Sequence, residues 1–260
     1  ATCCESRTSL YSDPDPAPSR PVQAPRTGRL YLIPVPLGQT PIAVALPQSV
    51  RACAQRLSHF VAENAKAARA FLKALPSDWP LQQIEIQELN EHTAASALPQ
   101  LLAPTLGGSD LGLVSEAGCP AVADPGAALV ALAHRQGIQV VPLVGPSAIL
   151  LALMGSGLSG QSFTFHGYLP SGGQEREKRL RDLEKESRLL QRTQIFIETP
   201  YRNRQMLESL VNACAAGTRI CVATDLTLDT EQITTRPAAA WRSQPLPEIA
   251  RRPTVFLMQA

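Results

Sequence analysis

With 260 residues, 44% of them hydrophobic and 18% charged, the chain can bury one large core or two smaller ones, and its composition excludes a fibrous, low-complexity or disulfide-built protein. A net charge of +2 argues neither for nor against a polyanionic partner. Its six cysteines have neither disulfide-framework nor zinc-ligand spacing, its four histidines are scattered, and no apolar run approaches a membrane span, so no metal site, membrane partner or secretory leader is expected. Free thiols suit a reducing cytoplasm.

Residues 1–27 read as an extended or disordered tail, with five prolines between Pro14 and Pro25 and almost nothing apolar to bury. From Arg29 the character changes. LYLIPV (30–35), LSHFVAE (57–63), IEIQEL (84–89), LGLVS (111–115) and IQVVPLV (138–144) read as short strands with helical stretches between them. That alternation is the pattern of a parallel sheet covered on both faces. It restarts with SFTFHGYLP (162–170), a charged helix at 174–192, and strands at TQIFIET (193–199), RICVATDL (219–226) and PTVFLMQ (253–259). The fold class is therefore α/β: two α/β domains, at 28–158 and 159–260, with a ligand cleft between them.

The link MGSGLSGQ (154–161) contains G-x-G-x-x-G at Gly155, Gly157 and Gly160. The dinucleotide fingerprint must follow a strand and open a helix. This one follows the helical SAILLALM and precedes a strand, so it reads as a linker. In ADPGAALVALAHRQG, Asp124 is the expected N-cap, Pro125 the first helical residue and Gly137 the left-handed stop. One cap does not explain the whole of VSEAGCPAVADPG (114–126). Gly118, Cys119 and Pro120 leave a bent backbone, poor in side chains, against which a ligand can lie. LVGPSAILLALM (143–154) places Gly145, Pro146 and Ser147 between a strand and a helix. Ser147 either caps that helix or joins exposed N–H groups in holding an anion. IPVPLGQT (33–40) ends the first strand with Pro34, Pro36 and Gly38. Three such loops at strand carboxyl ends predict one mouth that grips a small molecule mainly by backbone.

Together LYLIPVPLG, LVSEAGCPAVADPG, VVPLVGPSA, FTFHGYLP, FIETPYR and ATDLT resemble the S-adenosylmethionine-dependent methyltransferases of the tetrapyrrole methylase superfamily. They are most similar to its ribosomal RNA small-subunit methyltransferase I branch, which methylates a ribose 2′-hydroxyl. The resemblance covers almost everything after residue 28. It implies a cytoplasmic homodimer with S-adenosylmethionine in the interdomain cleft and RNA of the small ribosomal subunit as partner. The donor would touch Pro36, Gly38, Glu116, Ala117, Gly118, Cys119, Ala121, Val122, Pro146, Ser147 and Ala148, with Tyr168 and Leu169 added by the second domain. Glu116 and Cys119 stand where that group's signature usually has Asp and Thr. A second departure lies after the second strand, where Ala62, Glu63, Asn64, Ala65 and Lys66 stand in place of the group's Ala-Glu-Asp-Thr-Arg. Gly38–Gln39 replaces its Gly-Asn. The changes at Asn64, Lys66 and Gln39 spare the donor contacts and fall where substrate would be handled.

Methyl transfer to a hydroxyl needs alignment and a base. Glu63, at the end of a first-domain strand, is the candidate catalytic base, with Glu198 as the alternative; either is otherwise a capping or ion-paired acid. Tyr201 and Arg202 are candidate substrate contacts, a ring and a cation beside the cleft. The helix at 174–192 carries Arg176, Lys178, Arg179, Arg181, Lys185, Arg188 and Arg192 among five acids, and reads as a solvated face laced with ion pairs. Two alternatives stand beside RNA methylation: a methylase of a tetrapyrrole or other small acceptor, and a donor-binding relative without catalysis.

Overall fold

The computed structural model describes residues 27–260, so the expected tail lies outside the described residues up to residue 26. Five short segments form β1 (Leu30–Leu32), β2 (His59–Ala62), β3 (Glu85–Glu88), β4 (Leu111–Val114) and β5 (Val140–Pro142). They pair in parallel in the order β3-β2-β4-β1-β5. Successive side chains point to opposite faces, so near-continuous apolar strands feed two cores. Tyr31, Ile33, Phe60 and Val114 enter one, closed by α1 (Ile42–Ala45), α2 (Gln48–Gln55) and α3 (Ala65–Lys73). Leu30, Val61, Leu111 and Leu113 enter the other, closed by α4 (Leu98–Leu101) and α6 (Gly126–Arg135), with the short α5 (Ala103–Leu106) between these two in the chain. Gly112 leaves room for the Phe60 ring, which a Cβ there would meet at 2.7 Å.

The second sheet holds β6 (Phe163–Tyr168), β7 (Thr193–Ile197), β8 (Arg219–Thr224), β9 (Gln232–Pro237) and β10 (Thr254–Gln259) in the order β6-β7-β10-β8-β9. Only β6 and β7 run parallel; the other neighbours are antiparallel, so this half is a mixed sheet. The sequence pattern does not anticipate β9. Phe196, Ile220, Val222, Phe256 and Met258 face α8 (Gly173–Leu190), α9 (Asn203–Ala213) and α10 (Ala238–Arg242). The Phe196 and Phe256 rings stack at 5.9 Å.

The opposite face of this sheet is covered from the other half. Helix α7 (Ala148–Ser156) leaves β5 of the first sheet, yet its Ala152 and Leu153 pack on Ile195, Cys221, Ala223, Val255 and Leu257 of the second. The glycine-rich stretch expected as a linker thus begins inside a helix. A Cβ on Gly155 would lie 2.5 Å from Ile233 Cδ1, so glycine lets α7 approach β9. Gly157, at φ 66°, supplies the left-handed stop. The reading of α8 as a wholly solvated face also needs correction. Arg176 is buried, its Nε donating to Ser209 Oγ at 3.1 Å and its Nη1 to the Ser171 carbonyl at 2.9 Å. The expected pairing is present elsewhere on the helix, as in Arg181–Glu177 at 3.6 Å.

Candidate active site

The loops after β1, β4 and β5 meet as the sequence predicts, and backbone groups join them. Val35 and Gly118 exchange N–H···O bonds of 3.0 and 3.1 Å. The Cys119 thiol donates to the Pro146 carbonyl at 3.3 Å, tying the second loop to the third. Gly118 sits at φ 73°, and Ala121 and Ala123 at φ 65° and 63°, a left-handed conformation that alanine adopts only under constraint. Asp124 supplies that constraint. Its carboxylate accepts the Ala121 N–H at 2.9 Å and the Gly126 N–H at 2.7 Å. The helix starts one residue later than expected, at Gly126, so Asp124 closes the loop as well as meeting the first helical N–H. Burial pushes the Asp124 carboxyl up, against the pull of those two N–H groups.

Between the halves lies a cleft of about 280 Å³. Leu37, Ala117 and Ala148 line it from the first half, one from each of the three loops. Tyr168, Ile197, Glu198, Pro200, Ala223, Asp225, Leu226 and Leu228 line it at the carboxyl ends of β6, β7 and β8, and Pro253, Thr254 and Val255 at the amino end of β10. The walls are mainly apolar and the rim exposes bare loop backbone, a combination that suits a flat heterocycle carrying polar appendages.

Of the expected donor contacts, Ala117, Ala148 and Tyr168 line the cleft. Gly118, Cys119, Ala121 and Pro146 shape its backbone through the bonds above. Pro36 lies next to Leu37 in the first loop. Glu116 and Val122 of the second loop are exposed and do not line the cleft. Ser147 caps α7, its side chain accepting the Leu150 N–H at a long 3.5 Å. Gly38 touches the second half: a Cβ there would lie 2.9 Å from Leu228 Cδ2. Leu169 is 5% exposed as a residue and belongs to the core beneath α8 and α9.

The two candidate bases separate. The Glu198 side chain is 0% exposed. Its Oε1 accepts from Thr199 N at 2.7 Å, Thr199 Oγ1 at 3.3 Å and Arg202 Nη2 at 2.7 Å. Oε2 is buried without a partner among the described residues. Glu198 thus stands in the cleft wall as the ion-paired anchor of Arg202, the second of the two readings its sequence position allowed. Arg202, expected to bind substrate, is pushed up by that hydrogen bond and keeps 38% of its side chain exposed. Tyr201 stands at the surface, 79% exposed. Glu63 lies beside the Glu116 loop, outside the cleft lining. Burial, then the Glu116 and Asp124 carboxylates, push its carboxyl up. The side chain of neighbouring Asn64 is occupied in capping α3, where it accepts from Lys66 N at 2.9 Å and Ala67 N at 3.1 Å. Among the described residues no group of His, Cys, Asp and Glu stands together as metal ligands would.

Sequence reasoning missed the β10 contribution, because the carboxyl-end rule does not cover a strand that enters antiparallel. It also missed Asp225, Leu226 and Leu228. The signal for the first two was present in ATDLT (223–227), a resemblance to which no site role was attached; Leu228 lies one residue beyond it.

A family model for tetrapyrrole (corrin/porphyrin) methylases matches residues 29–240. "Ribosomal RNA small subunit methyltransferase I" of Vibrio cholerae is 36% identical over 151 residues, 58% of this chain and 51% of that protein. The protein of the same name from Escherichia coli O157:H7 is 30% identical over 217 residues, 82% of this chain and 72% of that protein. The chain thus spans about half the length of the first relative. Among solved structures, the methyltransferase CobJ superposes with a TM-score of 0.60 at 20% identity, over 90% of this chain and 94% of that one, a likeness of fold.

Proposed function

The chain belongs to the tetrapyrrole (corrin/porphyrin) methylase family, and from that premise we propose that it is an S-adenosylmethionine-dependent methyltransferase acting on a ribose 2′-hydroxyl of small-subunit ribosomal RNA. The observation that carries the reading is the cleft, where three stitched loops of one half meet the strand ends of the other. The name borne by the relatives from Vibrio cholerae and Escherichia coli supports the choice of acceptor.

When bound, S-adenosylmethionine supplies a methyl group carried on a sulfonium. Leu37, Ala117 and Ala148 would hold it from residues 28–158, the donor-binding half, and Tyr168, Ile197 and Leu226 from residues 159–260. The rigid loops place the ligand without relying on many side chains, and such alignment is worth up to about 7–11 kcal/mol in a displacement reaction. Glu63 takes the hydroxyl proton. Its upward shift moves it towards the pH at which a general base works best. Tyr201, with its ring exposed, stacks on an RNA base, and Arg202, oriented by Glu198, meets a phosphate.

The protein works in the cytoplasm as a homodimer. Helix α7 is apolar on every side, yet Val144 just before it and Leu150 and Met154 on its outer face are 75%, 51% and 79% exposed. A helix apolar all round is covered all round, and a second copy covers it here.

Calorimetry with S-adenosylmethionine tests the donor, and transfer of labelled methyl into small ribosomal subunits tests the acceptor. Absence of donor binding at millimolar concentration sinks the reading; transfer into a tetrapyrrole panel alone replaces the acceptor. Glu63→Gln is expected to slow transfer by about 100-fold while leaving donor affinity unchanged.

A further inference from the structure

Beyond Leu228 lies a second groove of about 240 Å³, lined by Gln39, Thr40 and Pro41 of the first half and by Thr227, Asp229 and Thr230 of the second. Leu228 lines both this groove and the donor cleft, so its isobutyl group is the wall between them. The wall is held from both sides. Thr40 Oγ1 donates to the Thr227 carbonyl at 3.0 Å, across the two halves. Thr227 adopts φ 72°, a left-handed conformation that a β-branched residue takes only when its surroundings impose it. The strain turns residue 228 towards Gly38. Gly38 is not among the residues of positive φ, so glycine is not required there by conformation. It is required by space, because a Cβ would sit 2.9 Å from Leu228 Cδ2 and 3.2 Å from Cδ1.

We propose that Leu228 is a positioning residue that closes this side of the donor cleft, with Gly38 as the seat that fixes where its side chain lies. The proposal rests on the cleft being the S-adenosylmethionine site. Truncating Leu228 joins cleft and groove and frees the donor on one flank. Adding a methyl at residue 38 drives the isobutyl group out of its seat, and does so only while Leu228 is present. Gly38 then acts through Leu228, whereas a glycine that served as a direct donor contact would act without it.

The test is a double-mutant cycle of wild type, Gly38→Ala, Leu228→Ala and the pair, read by calorimetry with S-adenosylmethionine and by melting temperature without it. Leu228→Ala is expected to weaken donor binding about 10-fold, on the scale of losing part of an apolar pocket wall. Gly38→Ala is expected to weaken it about 5-fold in the wild type and by less than about 2-fold when Leu228 is already alanine. Leu228→Met, of similar volume, restores affinity to within about 3-fold of wild type, while a melting temperature unchanged in Leu228→Ala beside its weakened binding separates a positioning role from one confined to folding. Equal losses from Gly38→Ala in both backgrounds, or unchanged affinity in Leu228→Ala, overturn the proposal. Should the wild type bind no donor, the functional reading fails and the melting temperatures decide. A drop on Gly38→Ala that disappears in the Leu228→Ala background keeps the seat, and an equal drop in both removes it.

Discussion

The loop after β4 and the loop after β8 line the same cleft and are held by different physics. Residues 115–125 are fixed by bonds that end on backbone groups: Val35 and Gly118 share a pair of bonds, the Cys119 thiol reaches a carbonyl, and one carboxylate, Asp124, gathers two N–H groups. Residues 225–231 have backbone bonds as well, Asp225 N–H to the Pro253 carbonyl at 2.9 Å among them, and add the Asp225 carboxylate, which pairs with other side chains. Asp225 Oδ2 accepts from Arg252 Nε and from Thr230 Oγ1, each at 2.8 Å, while Glu231 Oε2 accepts the Thr227 N–H at 2.7 Å. The first loop tolerates changes at side chains that make no such bond, provided Asp124 and the left-handed positions are kept. The second loop depends on the Asp225 side chain, which joins two partners at once. The difference teaches where substitutions in this cleft will be felt.

The strongest way to break that contrast is Asp225→Ala. The Asp225 side chain is 9% exposed and Arg252 25%, so the change takes the anionic partner from a guanidinium left with only neutral acceptors, the Thr230 and Glu248 carbonyls among them. Its expected cost is about 3 kcal/mol, read by urea unfolding. A cost near zero would mean that the second loop, too, is held by its backbone. Asp124→Ala ranks next, at about 1–2 kcal/mol with a parallel loss of S-adenosylmethionine affinity, since two N–H groups lose their acceptor and the left-handed alanines their restraint. Glu63→Gln sharpens the electrostatic side. Its carboxyl lies above the ordinary 4.5, so the fold favours the protonated form. The stability this gives is complete below the ordinary value and is lost as pH rises through the folded one. The glutamine variant should therefore melt higher than wild type at about pH 8 and no higher at about pH 4. Ser147→Ala is the smallest, within about 0.5 kcal/mol, because the cap bond is 3.5 Å long and the loop is held by the Pro146 carbonyl instead.

How much of this was legible in the sequence follows the same division. Strands β1 to β5 were readable because apolar side chains must fill two cores, and the three donor loops because Gly and Pro at strand ends leave few other conformations. Strand β9 was not, since QITTRP holds a single large aliphatic, Ile233, and sits at the edge of its sheet. Burial of Arg176 was invisible because its partners, Ser209 and the Ser171 carbonyl, come from other segments. The roles of Glu63 and Glu198 were indistinguishable in sequence, as both end a strand. Only the fold shows that one is locked to Arg202 and the other lies beside two carboxylates. Local chemistry writes the backbone into the sequence; long-range pairing leaves no comparable trace.

Helix α7 has a consequence for anyone who would take the molecule apart. A cut between residues 158 and 159 separates the two sheets in chain order, yet it leaves Cys221, Ala223, Val255 and Leu257 without the Ala152 and Leu153 that cover them. The second piece would be sticky and the first would trail an apolar helix with nothing to lie on. Mixed together, the two pieces should find each other through that helix. Expressed apart, neither should stay in solution, because the chain lends the lid of one half from the other.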